Sequence, residues 1–346
     1  MPDSAPRRDT WGIVDPAGLF SRVRFRRHVP APELRPYLEH YWLIDWELPE
    51  PYAAHLVPHP SVNVVFQRYG LLGAPAETAR SSAEVSGVGL GLFTRKLAGA
   101  GRVCGIQFRP GGFRPFAPAW PASAWTGRRV PLNGVFPEAG GGGGDGGGAF
   151  PGGDEGDDAG ALPGGGDGTD AFPGGGDGTD AFPGAGEGAD AFPGGSGGGG
   201  ASPDVLASVL SPDDDHARVA ALDAFLLAHG PVPDPAADRA VELVDLIRAD
   251  RTIRKVSRLA SASGLSPRSL QRLFADCVGV GPKWVILRYR THEALERAGA
   301  AGAAGPPDWA ALAAELGYSD QAHLVRDFTA TIGVPPTAYA RALSEP

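Results

Sequence analysis

A pattern in the last third of the chain occurs twice, and it constrains the fold more than any other feature. Leu259-Ala260, Gly264, Leu270, Arg272, Phe274, Gly279-Val280 and Pro282 recur as Leu312-Ala313, Gly317, Leu324, Arg326, Phe328, Gly333-Val334 and Pro336. The offset is 53 positions up to the first glycine and 54 after it. Such a duplication commits the region to two copies of one small unit. In the second copy Trp309, Leu312, Ala313 and Leu316 follow the i, i+3, i+4, i+7 spacing of one apolar helical face. Gly317 supplies the turn, Asp320 caps the next helix, and Leu324 and Phe328 lie one turn apart on its buried side. In the first copy Ile253, Val256, Leu259 and Ala260 build the first helix and Gly264 ends it. Ser266-Pro267 is an N-cap followed by proline at the first helical position, and Leu270 and Phe274 repeat the core pair. Helix, glycine turn and capped second helix make the helix-turn-helix signature.

Core formation accounts for the apolar positions but not for the opposite face of each second helix. That face carries Arg268, Gln271 and Arg272 in the first copy, and Gln321, Ala322, Val325 and Arg326 in the second. Arg can bond guanine O6 and N7, Gln can pair with adenine N6 and N7, and Ala or Val can touch a thymine methyl. A single polar face is usually only solvated; two in tandem point to double-stranded DNA. Between the copies, the stretch from Trp284 to Arg297 reads as one helix of about 15 residues, hence about 22 Å long. That spacer suits two recognition helices about one DNA turn, ~34 Å, apart. Lys283, Arg288 and Arg290 on or near it are candidates for phosphate contacts.

Residues 238–346 resemble the DNA-binding domain of the AraC/XylS family. The run Gly317-Tyr-Ser-Asp-Gln-Ala-His-Leu-Val-Arg-Asp-Phe328, with Gly333-Val-Pro-Pro and Tyr339, is similar to that family's signature. The resemblance implies seven helices and two helix-turn-helix units reading adjacent major grooves. It puts base contacts at Arg268, Gln271 and Arg272, and at Gln321, Ala322, Val325 and Arg326. Ala322 and Val325 are apolar where the family often has polar residues, so hydrogen-bond readout by the second unit would rest on Gln321 and Arg326.

Charge is partitioned along the chain. The formal net of −9 hides a segment, 138–203, with 12 acidic residues and no basic one, while residues 1–137 carry 16 Lys and Arg against 10 Asp and Glu. Of the 66 residues in that acidic segment 29 are Gly, too many for a hydrophobic core, so it reads as a disordered, flexible linker. A ten-residue unit recurs there, as in Ala161 to Asp170 and Ala171 to Asp180. Gly165 to Pro173 also fits a calcium-binding nonapeptide. The period of ten and the prolines at 173 and 183 count against stacked coils, and the linker reading is preferred. A helical segment, 204–237, follows, and the helix containing Leu222 to Leu227 is expected to pack between linker and DNA-binding domain. Such a linker argues against a rigid relay and leaves dimerisation or occlusion as the means of control.

Residues 1–137 read as β-rich, with alternating or β-branched runs at Val23–His28, His40–Glu47, Val62–Phe66 and Val103–Phe108. Leu56 to Phe66 and Gly105 to Phe116 resemble the N-terminal domain found ahead of such DNA-binding domains in bacterial, often actinobacterial, regulators. A cupin-like fold is one reading of it, without a cupin metal motif. His55 and His59 are four apart but flanked by Pro58 and Pro60, which favours turn or core roles over a metal. Gly87, Gly89 and Gly91 lack the helix that a nucleotide-binding loop opens. Trp42, Trp46, Phe66, Phe108 and Arg109 either line a pocket or form core with Arg109 as a paired charge.

The expected fold class is therefore α+β and multidomain, and the expected protein is a one-component transcription factor. Its partners would be operator DNA, with a small-molecule effector, RNA polymerase and a second copy of the chain as further candidates. No catalytic residue, cofactor or metal is expected. No run of 18 apolar residues and no secretory signal are visible, so a cytoplasmic location is expected. Two rivals remain: a DNA-repair alkyl-transferase fused to the same kind of domain, which would need a reactive cysteine where Cys104 stands, and a calcium-binding repeat protein.

Overall fold

Alternating side chains organise the first domain. After a short helix, α1 (Pro16–Phe20), come β1 (Val23–His28), β2 (Leu38–Leu56), β3 (Asn63–Gly70), β4 (Arg80–Ser86), β5 (Phe93–Phe108) and β6 (Arg129–Pro131). They form one antiparallel sheet in the order β1-β2-β5-β3-β4-β6. On one face Leu43, Cys104 and Phe66 stand in a row across three strands, with Tyr41, Ile106 and Val64 in the next row. All six are fully buried. The other face carries Trp42 over Gly105, where a Cβ would lie 1.9 Å from the indole, so only glycine admits that ring. The ladder of β2 breaks between Leu48 and Tyr52, where Pro49 and Pro51 lack the donors that pairing needs. The computed structural model describes residues 12–75, 78–136, 201–300 and 307–344; the glycine-rich repeats, with their linker and calcium readings, lie outside them.

Two helices complete this domain from beyond the repeats. α2 (Pro203–Leu210) and α3 (Asp215–His229) pack on the buried face of the sheet. Val209, Leu210, Leu222, Phe225 and Leu226 join Tyr41, Phe66 and Cys104 in one core, and Phe225 meets Phe66 edge-on at 5.5 Å. The Tyr41 hydroxyl donates to Asp223 at 2.7 Å. The Leu222 helix thus differs from its expected place: it covers the sheet. Apolar burial explains this, because the face around Phe66 would otherwise lie open to water. Phe136 and Ala201, on either side of the repeats, both pack in that core. The glycine-rich segment is therefore an excursion from the first domain, and residues 230–234 make the covalent passage to the second.

Seven helices form the second domain among the described residues. They are α4 (Pro235–Ala249), α5 (Val256–Ser263), α6 (Pro267–Cys277), α7 (Pro282–Ala300), α8 (Trp309–Leu316), α9 (Gln321–Ile332) and α10 (Pro336–Ser344). Leu259, Leu270, Phe274 and Val285 centre one core; Leu312, Leu324, Phe328 and Tyr339 centre the other. The connecting helix α7 has 19 residues, longer than expected, and spans about 28 Å.

The two domains touch directly. Val88 enters the first helical core, and Val14 and Val57 enter the second. The Thr126 hydroxyl donates to the Gly279 carbonyl at 2.7 Å, Arg114 to the Asp276 carbonyl at 3.1 Å, and the Tyr339 hydroxyl to the Val14 carbonyl at 2.7 Å. Midway, Arg288 and His292 of α7 bond the carbonyls of Leu90 and Pro58 at 3.0 and 3.1 Å. The expectation that a flexible linker separates the domains is corrected by this packing.

Candidate nucleic-acid interface

Local chemistry starts each second helix where the sequence signals it. Ser266 Oγ accepts from the Ser269 amide at 3.1 Å, and Pro267 opens α6. Asp320 Oδ1 accepts from the His323 amide at 2.7 Å to open α9. These bonds satisfy amides that the helix itself cannot pair. Gly264 and Gly317 close the preceding helices in the left-handed region, at φ +72° and +75°. Leu270 and Phe274, and likewise Leu324 and Phe328, are buried beneath the two helices.

The outward faces are open. Arg268, Gln271 and Arg272 are exposed on α6, and Gln321, Ala322 and Arg326 are exposed on α9, with Val325 half-buried beside them. The first domain meets the C-terminal end of α6, at Asp276 and Gly279, and leaves its N-terminal turns uncovered. Neither Arg272 nor Arg326 has an ion pair among the described residues, so neither is the bound partner of Asp276 or Asp327.

The three candidate phosphate contacts part company. Lys283 is exposed at the start of α7. Arg290 is half-buried, donates to the Arg254 carbonyl and lies over the Tyr318 ring at 5.7 Å; burial, foremost, lowers its pKa. Arg288 differs from the expectation: it is buried between the domains, over the Trp284 ring at 4.4 Å, and burial pushes its pKa down to about 10. Five residues along α7 separate the exposed Lys283 from the buried Arg288, and only the tertiary contact tells them apart.

Sequence reading missed His323 and Arg254. His323 packs edge-on to Tyr318 at 5.2 Å, with Nδ1 3.2 Å from Ser319 Oγ and Nε2 3.5 Å from Asp327. Burial raises the Asp327 pKa, while His323, Arg290, Arg326 and Lys283 pull it back. Arg254 donates to the Glu315 carbonyl at 3.0 Å and so ties the first unit to the second. The spacing of four between His323 and Asp327 was the available signal for the first; nothing local marks the second.

Elsewhere the candidates scatter. Phe66 and Phe108 are core and Arg109 pairs with Asp245 of α4, which favours the structural reading of that group; Trp46 borders a cleft. His55 bonds Thr94 at 2.9 Å and His59 bonds Ser61 at 2.7 Å. No cluster of three His, Cys, Asp or Glu with metal-ligand geometry occurs among the described residues. Burial, the leading cause, pushes the Cys104 thiol up to about 12 and the Cys277 thiol to about 11, far from the reactive thiolate an alkyl-transferase uses. No described helix is long and apolar enough to cross a membrane.

Residues 259–342 match the family model described as "Helix-turn-helix domain". The chain is a DNA-binding transcription regulator with a helix-turn-helix domain over those residues. Residues 26–131 match a second family, described as "Domain of unknown function (DUF6597)". No curated protein matches the sequence. Among solved structures, the chain is similar to ToxT from Vibrio cholerae at 9% identity and TM-score 0.38, over 94% of this chain and 100% of that one. A structure of ToxT with unsaturated fatty acid bound gives 10% identity and TM-score 0.34, over 88% and 95%. The C-terminal domain of AraT, a response regulator from Geobacillus stearothermophilus, gives 20% and 0.27, over 32% and 86%.

Proposed function

We propose that the regulator reads a specific operator through both units at once. The base contacts are Arg268, Gln271 and Arg272 of α6, and Gln321, Ala322, Val325 and Arg326 of α9, with Lys283 and Arg290 toward phosphates. The supporting observation is that these two capped helices keep their polar faces open while the first domain is docked on the same helical body. Arg288 is left out of the phosphate set because its guanidinium is spent on the domain contact. Residues 238–346 act as the DNA-binding unit. Residues 1–137, completed by α2 and α3, act as a sensing domain for a small-molecule effector. The docked contacts to Gly279, α7 and Tyr339 reach both units, so a signal in the first domain has a direct mechanical route to their spacing. Control through a second copy of the chain or through RNA polymerase belongs to the same reading, as does a cytoplasmic site of action.

Selection from randomised operators with the full chain tests this. The expected result is a bipartite logo with two half-sites about one helical turn apart. Binding without sequence preference, or a single half-site unaffected by changes in α9, would overturn it.

A further inference from the structure

The buried face of the sheet does not end where α2 and α3 end. Beyond the row of Leu43, Cys104 and Phe66 the same three strands present Asp45, Arg102 and Arg68, and beyond those Glu47, Ala100 and Gly70. The helices stop at the charged row, where Arg102 Nη1 donates to the carbonyls of Leu210 and Pro212 at 2.9 and 2.8 Å. Ala100 and Gly70 are small, and a cleft of about 410 Å³ opens above them, walled by Leu71 and Pro75. The volume lies within the ~300–1,000 Å³ typical of small-ligand sites.

Charge in this row is unevenly used. Asp45 accepts from Arg26, Arg102 and Arg218, and Arg218 is only 1% exposed. Arg102 is also paired at 2.9 Å with Asp213, whose side chain is 96% exposed and therefore held weakly. Arg68 is half-buried, lines the cleft, and makes no hydrogen bond or ion pair among the described residues. Burial, foremost, and then Arg102 lower its pKa, while Asp213 and Asp45 pull it back, so its charge is only partly compensated. The wall offers Leu71, 79% exposed, as apolar surface without cover.

We propose that this cleft binds a small organic carboxylate, its charged end between Arg68 and Arg102 and its compact apolar body over Gly70 and Ala100 against Leu71 and Pro75. Asp213 would swing out to solvent and free one side of Arg102. Glu47, exposed on the rim, disfavours a dianion such as phosphate and so favours a singly charged group. The proposal rests on reading the first domain as the sensing half; the DNA contact stands apart from it.

Calorimetric titration of the full chain with benzoate, with the neutral benzamide and with inorganic phosphate tests it. Benzoate should bind one per chain, and benzamide should bind at least about tenfold more weakly. Arg68→Met should cost about tenfold or more, and Arg68→Lys about threefold. Ala100→Leu should abolish binding by filling the cleft without touching charge. Operator affinity without benzoate, measured on the same samples, should be unchanged in all three variants; its loss would count against the DNA reading or the fold instead. Absence of benzoate binding at millimolar concentration, equal binding of benzamide, or full affinity in Arg68→Met overturns the proposal. Phosphate binding as tightly as benzoate overturns its apolar half.

Discussion

Gly264 and Gly317 end the first helix of each unit with almost the same backbone, yet nothing lies where a Cβ would stand at Gly264 while Arg254 fills that space at Gly317. The same contrast runs through both units. α6 is held at its C-terminal end by Thr126 and Arg114 of the first domain. The second unit is held through α10, by Tyr339 on Val14. The face of α6 is two arginines and a glutamine, whereas α9 mixes Gln321 and Arg326 with Ala322 and Val325. The duplicated residues repeat a backbone, and the neighbours that each copy meets decide what it can be used for.

The largest effect should come from the paired core residues. Phe274→Ala and Phe328→Ala should each cost about 3–5 kcal/mol of stability, measured by urea unfolding. If the docked first domain supports the first unit more, Phe274→Ala should also lower the melting of the sheet, and Phe328→Ala should not.

Next comes the contact of α7 with the first domain. His292 is fully buried against the Pro58 carbonyl, and burial, before any other cause, pushes its pKa down to about 3. The unfolded chain takes up this proton near the ordinary 6.5, so the associated stability is full above that pH and drains away as pH falls toward 3. Around the ring, His59 packs edge-on at 5.9 Å, and the charged Arg288 one turn away opposes its protonation. His292→Phe should flatten the pH dependence of stability between those limits; an unchanged slope would place the titration elsewhere.

For DNA binding, Arg272→Ala and Arg326→Ala should each cost about 1–3 kcal/mol and relax preference at one operator position. Lys283→Ala should weaken all sequences alike and flatten the salt slope by about one. If both arginine variants keep the original logo and lose only salt-dependent affinity, specificity comes from Arg268, Gln271 and Gln321 or from DNA shape.

At the caps, Ser266→Ala and Asp320→Ala should each cost about 1 kcal/mol, with little effect on the logo. The smallest effect is expected from removing residues 161–190. Both flanks of the excursion, Phe136 and Ala201, are anchored in one core, and loop-closure cost changes slowly with length, so stability should shift by about 1 kcal/mol or less. Unfolding of either domain after this deletion would show that the repeats do more than connect.

Much of the second domain could be read in advance because its signals are local. Caps, glycine turns and three-and-four spacing act within a few residues, and Leu270, Phe274, Leu324 and Phe328 are buried where the period puts them. The strands of the first domain were visible as alternation, but β2 and β5 run well past the alternating stretches. Alternation marks only the part of a strand with one wet and one dry face.

The sequence by itself determined the two units, their caps and the residues on their outer faces, since each follows from neighbours one helical turn away. Tertiary structure alone decided that α2 and α3 return to the sheet, that Arg288 serves the domain contact while Lys283 stays free in solvent, and that Asp45, Arg102 and Arg68 stand in one row. Those outcomes rest on pairs far apart in the chain, such as Arg102 with Leu210 across 108 residues and Arg288 with Leu90 across 198. A periodic pattern records which face of an element is apolar; it carries no record of which distant surface will cover that face.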